Sequence, residues 1–168
     1  MGMDVIGKKK ESYFRNNFWW WRPLWSFCTT VAPTLCAKVK SAGSNDGDGL
    51  DAEDSKALAK LLKESIANGA CAKYEQQYNT WRASLPRERC KLCNATGIRA
   101  DKIGTDTGMP NRELSIEQIK ALGRTQGWCN GCDGVGTEHN MAALYPFSVD
   151  NVMNFAEFLE ECEGFEIW

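Results

Sequence analysis

Hydrophobic positions recur every three or four residues in several stretches of the chain, and those stretches predict its helices. From Asp51 to Asn68, Leu58, Leu61, Leu62, Ser65 and Ile66 form a narrow stripe, acidic residues fill the first turn, and Gly69 suits the C-terminal cap. A second helix is predicted over 72–84, with Tyr74, Tyr78, Trp81 and Leu85 at helical spacing and Pro86 ending it. Ser115-Ile116-Glu117-Gln118 has the form of a capping box and opens a short helix with Ile116, Ile119 and Leu122 inward. The last helix starts near Ser148, carries Val152, Phe155, Leu159 and Cys162 on one face, and stops at Gly164. Short strands are predicted at both ends, Met3–Ile6 and Phe165–Trp168, and their pairing would join the termini. Between them lies an aromatic block, residues 13–25, in which no single period wins. Residues 41–49 read as a loop by composition.

Two motifs carry chemistry: Cys90-Lys91-Leu92-Cys93 with Gly97, and Cys129-Asn130-Gly131-Cys132 with Gly136. In each, two thiols separated by two residues point at one ion if the backbone between them turns tightly, and the following glycine lets an amide approach the sulfur. Two such knuckles supply the four tetrahedral ligands of one structural zinc, with Arg89, Lys91 and Arg99 offsetting the excess negative charge. Free buried thiols or a redox pair are the alternatives; the matched glycine tails favour zinc. Four sulfur ligands leave no position for water or substrate, so the expected ion is structural. Cys28, Cys36, Cys71 and Cys162 have no partner at this spacing and read as core residues.

The knuckles resemble the cysteine-rich zinc motif of DnaJ-type co-chaperones, CxxCxGxG. Residues 129–136 match it fully, whereas residues 90–97 carry Ala95 at the first glycine. The family uses four such repeats, and its His-Pro-Asp tripeptide is missing here, so the resemblance implies a zinc-stabilised hairpin pair and no chaperone activity. A wider resemblance rests on the opening Met1-Gly2-Met3-Asp4-Val5, the block from Phe14 to Trp25, Asn45–Leu50 and the ending with Tyr145-Pro146-Phe147, Phe155 and Phe158. These segments are similar to a group of small phage- and prophage-encoded proteins, which implies a role inside an infected bacterium.

The chain of 168 residues is 43% hydrophobic and 25% charged, the composition of a globular protein with one core and room for a small subdomain. A net charge of -2 argues against binding nucleic acid through bulk positive charge. The charge is uneven: residues 1–40 hold seven Lys and Arg against two Asp and Glu, while residues 137–168 hold seven acidic residues and no Lys or Arg. The oppositely charged ends are expected to attract within one fold. No run of roughly 18–20 apolar residues is present, and the N-terminus has neither a signal-peptide cleavage site nor a myristoylation signal. A cytoplasmic protein is expected, where eight cysteines favour metal over disulfides.

The aromatic block has several readings. Packing is favoured, with three consecutive tryptophans alternating between core and groove to close a small sheet. A partner-binding surface made of Arg15, Trp19, Trp20, Trp21, Arg22 and Trp25 ranks second, because exposed Trp and Arg dominate binding hot spots. Stacking of nucleobases and membrane anchoring rank below. Asn45–Gly49 fails as a calcium loop, since Ser55 stands where the twelfth-position Glu belongs. His139, the single histidine, reads as a loop residue, and no catalytic triad or phosphate loop is visible.

These readings combine into an α+β protein with helices packed on a small sheet joining the termini. Residues 1–89 form its aromatic and helical part, 90–136 a zinc-knuckle subdomain with an insert carrying one short helix, and 137–168 the helix and strand that complete the core. The expected function is a non-enzymatic interaction protein that binds and modulates a host or defence protein. A nucleic-acid-binding zinc protein is the alternative.

Overall fold

Val5 sits opposite Ile167, Ile6 opposite Glu166 and Gly7 opposite Phe165, so the two ends of the chain form neighbouring antiparallel strands, as the sequence predicts. The computed structural model describes residues 2–168; Met1, the first residue of the predicted N-terminal part, lies outside them. In chain order the elements begin with β1 (Gly2–Gly7), β2 (Tyr13–Asn17), α1 (Phe18–Val31), α2 (Pro33–Cys36), β3 (Asp48–Asp51), α3 (Ala52–Ala67) and α4 (Ala70–Ser84). There follow β4 (Glu88–Arg89), α5 (Lys102–Asp106), a 3-10 turn (Met109–Asn111), α6 (Ile116–Leu122) and β5 (Thr137–Glu138). A second 3-10 turn (Met141–Leu144), α7 (Val149–Glu161) and β6 (Gly164–Ile167) complete the chain. The protein is α+β and divides into two compact units, one formed by Met1–Ser84 with Leu144–Trp168 and the other by Leu85–Ala143.

The first unit is built on an antiparallel sheet in the order β2-β1-β6-β3. Its central strands send Met3, Val5, Phe165 and Ile167 into the core, where they meet Leu58 and Leu62 of α3 and Val152, Phe155 and Leu159 of α7. The predicted helices over 51–68 and 148–164 are therefore present, each with its side-chain cap: Asp51 accepts from the Asp54 amide and Ser148 from the Asn151 amide. Leu61, assigned to the buried stripe of α3, instead reaches solvent at its edge. Residues 41–47 form a turn, held by the Ser41 amide donating to Asp48 Oδ2 at 2.7 Å, but Asp48 and Gly49, read as the end of that loop, belong to β3 and pair with Ile167 and Glu166. Lys9 and Glu161 pair at 3.7 Å, so the oppositely charged ends do meet. An exposed pair of this kind contributes only about 0–1 kcal/mol, and the β1–β6 ladder is what joins the ends.

The aromatic block differs from its sequence reading. Residues 13–17 are a strand, but the three consecutive tryptophans belong to α1 and close no sheet. Asn17 caps the helix by accepting from the Trp20 amide at 3.0 Å. Helical geometry spreads adjacent residues by about 100°, so Trp19, Trp20 and Trp21 face three directions. Trp21, Leu24, Phe27 and Cys28 face the core. Pro23 lies within the helix near its start, where it removes one backbone hydrogen bond. Aromatic residues on several faces and an internal proline are why no period stands out.

In the second unit, β4 and β5 form a two-residue ladder pairing Glu88 with Glu138 and Arg89 with Thr137. α6 has the predicted reciprocal capping box between Ser115 and Gln118, and Gly123 closes it in the left-handed conformation. Ile116, predicted to point inward, is 74% exposed, because its place in the first turn faces away from the few buried residues available. The buried hydrophobics of this unit are Leu114, Trp128 and four cysteines. Among the described residues no helix is long and apolar enough to cross a membrane.

Candidate metal centre

A core of one leucine, one tryptophan and four thiols buries little apolar area, so this unit needs another source of stability. The four thiols are Cys90, Cys93, Cys129 and Cys132, all of them buried, and they form a cluster of their own. Each pair comes from a tight turn, and the two turns share three hydrogen bonds at equivalent positions. The Ala95 amide donates to Cys90 O at 3.1 Å and the Gly134 amide to Cys129 O at 3.1 Å. Thr96 and Val135 donate in the same way to Cys93 O and Cys132 O. Gly97 donates its N–H to Cys93 Sγ at 3.2 Å and Gly136 to Cys132 Sγ at 3.1 Å. These last bonds place a positive amide end against a sulfur in each knuckle, as a thiolate requires.

Left-handed backbone makes the turns possible. Asn94, Ala95 and Gly97 have φ of 53°, 69° and 73°, and Asp133, Gly134 and Gly136 follow with 50°, 76° and 90°. The tail glycines also pack against the opposite knuckle. A Cβ at Gly97 would lie 2.2 Å from Gly134 O, and one at Gly136 would lie 2.4 Å from Ala95 O. The glycines marked by the motif are thus needed twice, for conformation and for contact.

The sulfurs approach across the knuckles, with Cys90 Sγ and Cys129 Sγ 3.9 Å apart and Cys93 Sγ and Cys132 Sγ 3.6 Å apart. All four lie within 4.8 Å of one another. Four sulfurs at about 2.3 Å from a central ion define a tetrahedron with edges of about 3.8 Å. The quartet is therefore spaced to hold a metal ion, and both cross-knuckle distances are far longer than a disulfide bond of about 2.05 Å. Burial pushes the Cys132 thiol up to about 12 and raises that of Cys129. Burial also acts on Cys93, but the Gly97 amide and the neighbouring thiols outweigh it and hold that group down at about 7. The metal-free quartet thus retains protons that a cation would displace.

The residues around the quartet are partly those the sequence suggests. Arg89 donates to Asn94 O at 3.0 Å, bracing the first knuckle. Arg99 spends its guanidinium on Asp101, at 2.8 and 3.0 Å, and on Asn130 Oδ1 of the second knuckle at 3.1 Å. Lys91 is exposed. The residue that sequence reasoning misses is Arg124. Its Nη2 donates to Gly97 O at 2.9 Å and to Gly134 O at 2.6 Å, so one guanidinium ties the two knuckles together. The available signal was an Arg directly after the helix-ending Gly123 and five residues before Cys129. His139 stays outside the quartet, taking a hydrogen bond from Arg87 Nη1 at 3.0 Å.

The six candidate surface residues divide around the first unit. Trp21 is core: it is 1% exposed, donates Nε1–H to Ala42 O at 2.6 Å and stacks on Trp25, which is half-buried. This corrects its assignment to a partner-binding surface. Trp19 and Arg22 reach solvent, Trp19 against Tyr145 and Arg22 over the Phe18 ring at 4.0 Å. Arg15 is exposed on β2, with Nε 4.0 Å from Asp4 Oδ1. Trp20 is half-buried. No protein-family model, curated protein or solved structure matches the chain.

Proposed function

We propose that Cys90, Cys93, Cys129 and Cys132 hold one zinc ion as a structural brace, and that the protein is a non-enzymatic interaction module that binds and modulates a host or defence protein. The observation that carries the metal half is the buried quartet at tetrahedral spacing within a unit that has almost no other core. A closed four-sulfur site supplies folding energy and charge neutralisation and leaves no open position for a substrate. Arg124 and the two glycine amides orient the ligand loops.

Support for the interaction half comes from exposed Trp19 and Arg22, which form an aromatic and cationic cluster with half-buried Tyr145 on the first unit. These residue types concentrate binding energy at protein interfaces. The nucleic-acid alternative receives less support: residues 85–143 carry eight Lys and Arg against seven Asp and Glu, and four thiolates around a divalent ion add negative charge. The test is co-purification from the bacterial host, comparing the wild-type chain with Trp19→Ala/Arg22→Ala. A defined protein that is retained by the wild type and lost from the folded double variant supports the reading. Salt-sensitive retention of DNA or RNA by both proteins, with no protein partner, would favour the alternative.

A further inference from the structure

Strand β2 lies at an open edge of the sheet, and part of its backbone has no partner there. In an antiparallel ladder alternate residues turn both N–H and C=O to the same neighbour. Asp4 of β1 exchanges both of its bonds with Trp168, and Lys8 donates to Gly164 O, so Asp4 and Ile6 face β6. Opposite them in β2 stand Arg15 and Tyr13. Tyr13 and Arg15 therefore direct their N–H and C=O groups outward, two donors and two acceptors in a row. Both residues are exposed, and their side chains turn to the outer face of the sheet. There the Tyr13 hydroxyl donates to Asp4 Oδ1, and Arg15 Nε lies 4.0 Å from the same atom. On the inner face the edge borders a groove of about 410 Å³, lined by Phe14 together with Glu157, Phe158 and Glu161 of α7. A second depression shares Asn154 with this groove and continues it as far as Asn16 and Asp150. The trough thus follows β2 along its length.

We propose that an extended peptide carrying Lys or Arg adds to β2 as a further strand of the sheet. A trough beside a free strand edge is the geometry of strand addition, in which main-chain bonds supply affinity and alternate side chains supply specificity. Tyr13 and Arg15 offer the main-chain bonds. Side chains of the added strand alternate between the two faces, so every second one enters the trough. There it meets the Phe14 and Phe158 rings, 5.8 Å apart between centroids, and the carboxylates of Glu157 and Glu161. Charge selects its chemistry. No Lys, Arg or His lines the groove, Glu157 has no ion-pair partner among the described residues, and Glu161 has only the exposed Lys9 at 3.7 Å. A long cationic side chain rests its methylenes on the rings and brings its charge to the carboxylates. Pairing β2 with the β2 of a second copy would instead set two such acidic rows against each other. The inference names the chemistry of a partner and so rests on the reading of the protein as an interaction module, but it uses neither Trp19, nor Arg22, nor the metal ligands.

The test is proton–nitrogen NMR with amide hydrogen exchange on the full chain, titrated with an end-blocked peptide of about seven residues in which Thr and Lys alternate. Comparators are the same peptide with Glu in place of Lys, and the Lys peptide with its backbone nitrogens methylated. The Lys peptide should bind saturably, with a Kd of about 0.1–1 mM. At saturation it should slow exchange of the Tyr13 and Arg15 amides by at least about tenfold, while Phe14 and Asn16, already bonded to β1, change little. Both comparators should bind at least about tenfold more weakly. Glu157→Gln/Glu161→Gln alters two exposed positions of α7 and should weaken the Lys peptide by about three- to tenfold in a folded protein, the scale of one or two exposed ion pairs. The proposal is overturned if the Lys peptide leaves Tyr13 and Arg15 unprotected at about 10 mM, if the Glu peptide protects them equally, or if the double variant binds unchanged. It is equally overturned if protection rises with protein concentration alone, since the occupant is then a second copy. Any of these results in a chain that still retains a host protein through Trp19 and Arg22 removes this inference and leaves the interaction reading standing.

Discussion

Ala95 and Gly134 occupy equivalent places in the two knuckles and share the left-handed conformation, with φ of 69° and 76°. The side chain at Ala95 makes that conformation cost about 1–2 kcal/mol more than at glycine. Ala95→Gly should therefore raise the stability of the metal-loaded second unit by about 1 kcal/mol, read as a shift in its denaturation midpoint. An unchanged or lower midpoint would mean that the backbone at Ala95 is not held as described. The cysteine pairs and their tail glycines were legible in the sequence, because the spacing of ligands and of left-handed residues is local. Arg124 was not, since its partners Gly97 O and Gly134 O are brought to it only by the fold. The thiols also set a pH dependence. Cys129 and Cys132 are raised in the metal-free quartet and so carry protons at neutral pH, whereas all four ligands are thiolates when the metal is bound. Binding therefore releases at least two protons, and zinc affinity should fall as pH falls, by about a hundredfold per pH unit. Competition titrations at two pH values measure this; an affinity independent of pH would argue against thiolate ligation.

At the scale of elements, α1 shows how far a local pattern reaches. Helices α3 and α7 were readable because each has one apolar face against the core and a capping side chain before it. In α1 the aromatic residues spread over several faces, and which of them is core is decided by β1, β6 and α7. Trp21 fills the core beside Phe155, at 5.5 Å between ring centroids, whereas Trp19 packs at the surface on Tyr145. Trp21→Ala should cost about 3–5 kcal/mol through cavity formation and loss of the Ala42 hydrogen bond. Trp19→Ala should cost less than about 1.5 kcal/mol, the worth of one exposed aromatic pair. Chemical denaturation of both variants checks the order, and equal losses would mean that the helix is rotated from the orientation described. In α6, the capping box was legible but the inward face was not. A seven-residue helix beside a core of two hydrophobic side chains has little apolar surface to face.

At the scale of the molecule, the pairing of the two ends was legible because short apolar strands and opposite charges sit at both termini. The two units hold together by different means. The first buries seven fully covered aliphatic and aromatic residues from α3 and α7 alone, while the second places four cysteines where a core would be. Metal should accordingly be what folds the second unit, with a contribution on the order of 10 kcal/mol for a structural zinc site. Elemental analysis of the purified chain, followed by NMR during chelation, tests this most directly. Trp128 is the only tryptophan of the second unit, and the other six lie in the first. The account predicts one zinc per chain, and on chelation it predicts loss of the Trp128 indole resonance while the other six persist. A protein that is folded and metal-free, with Trp128 unmoved by chelator, would contradict it, as would stoichiometric iron in place of zinc.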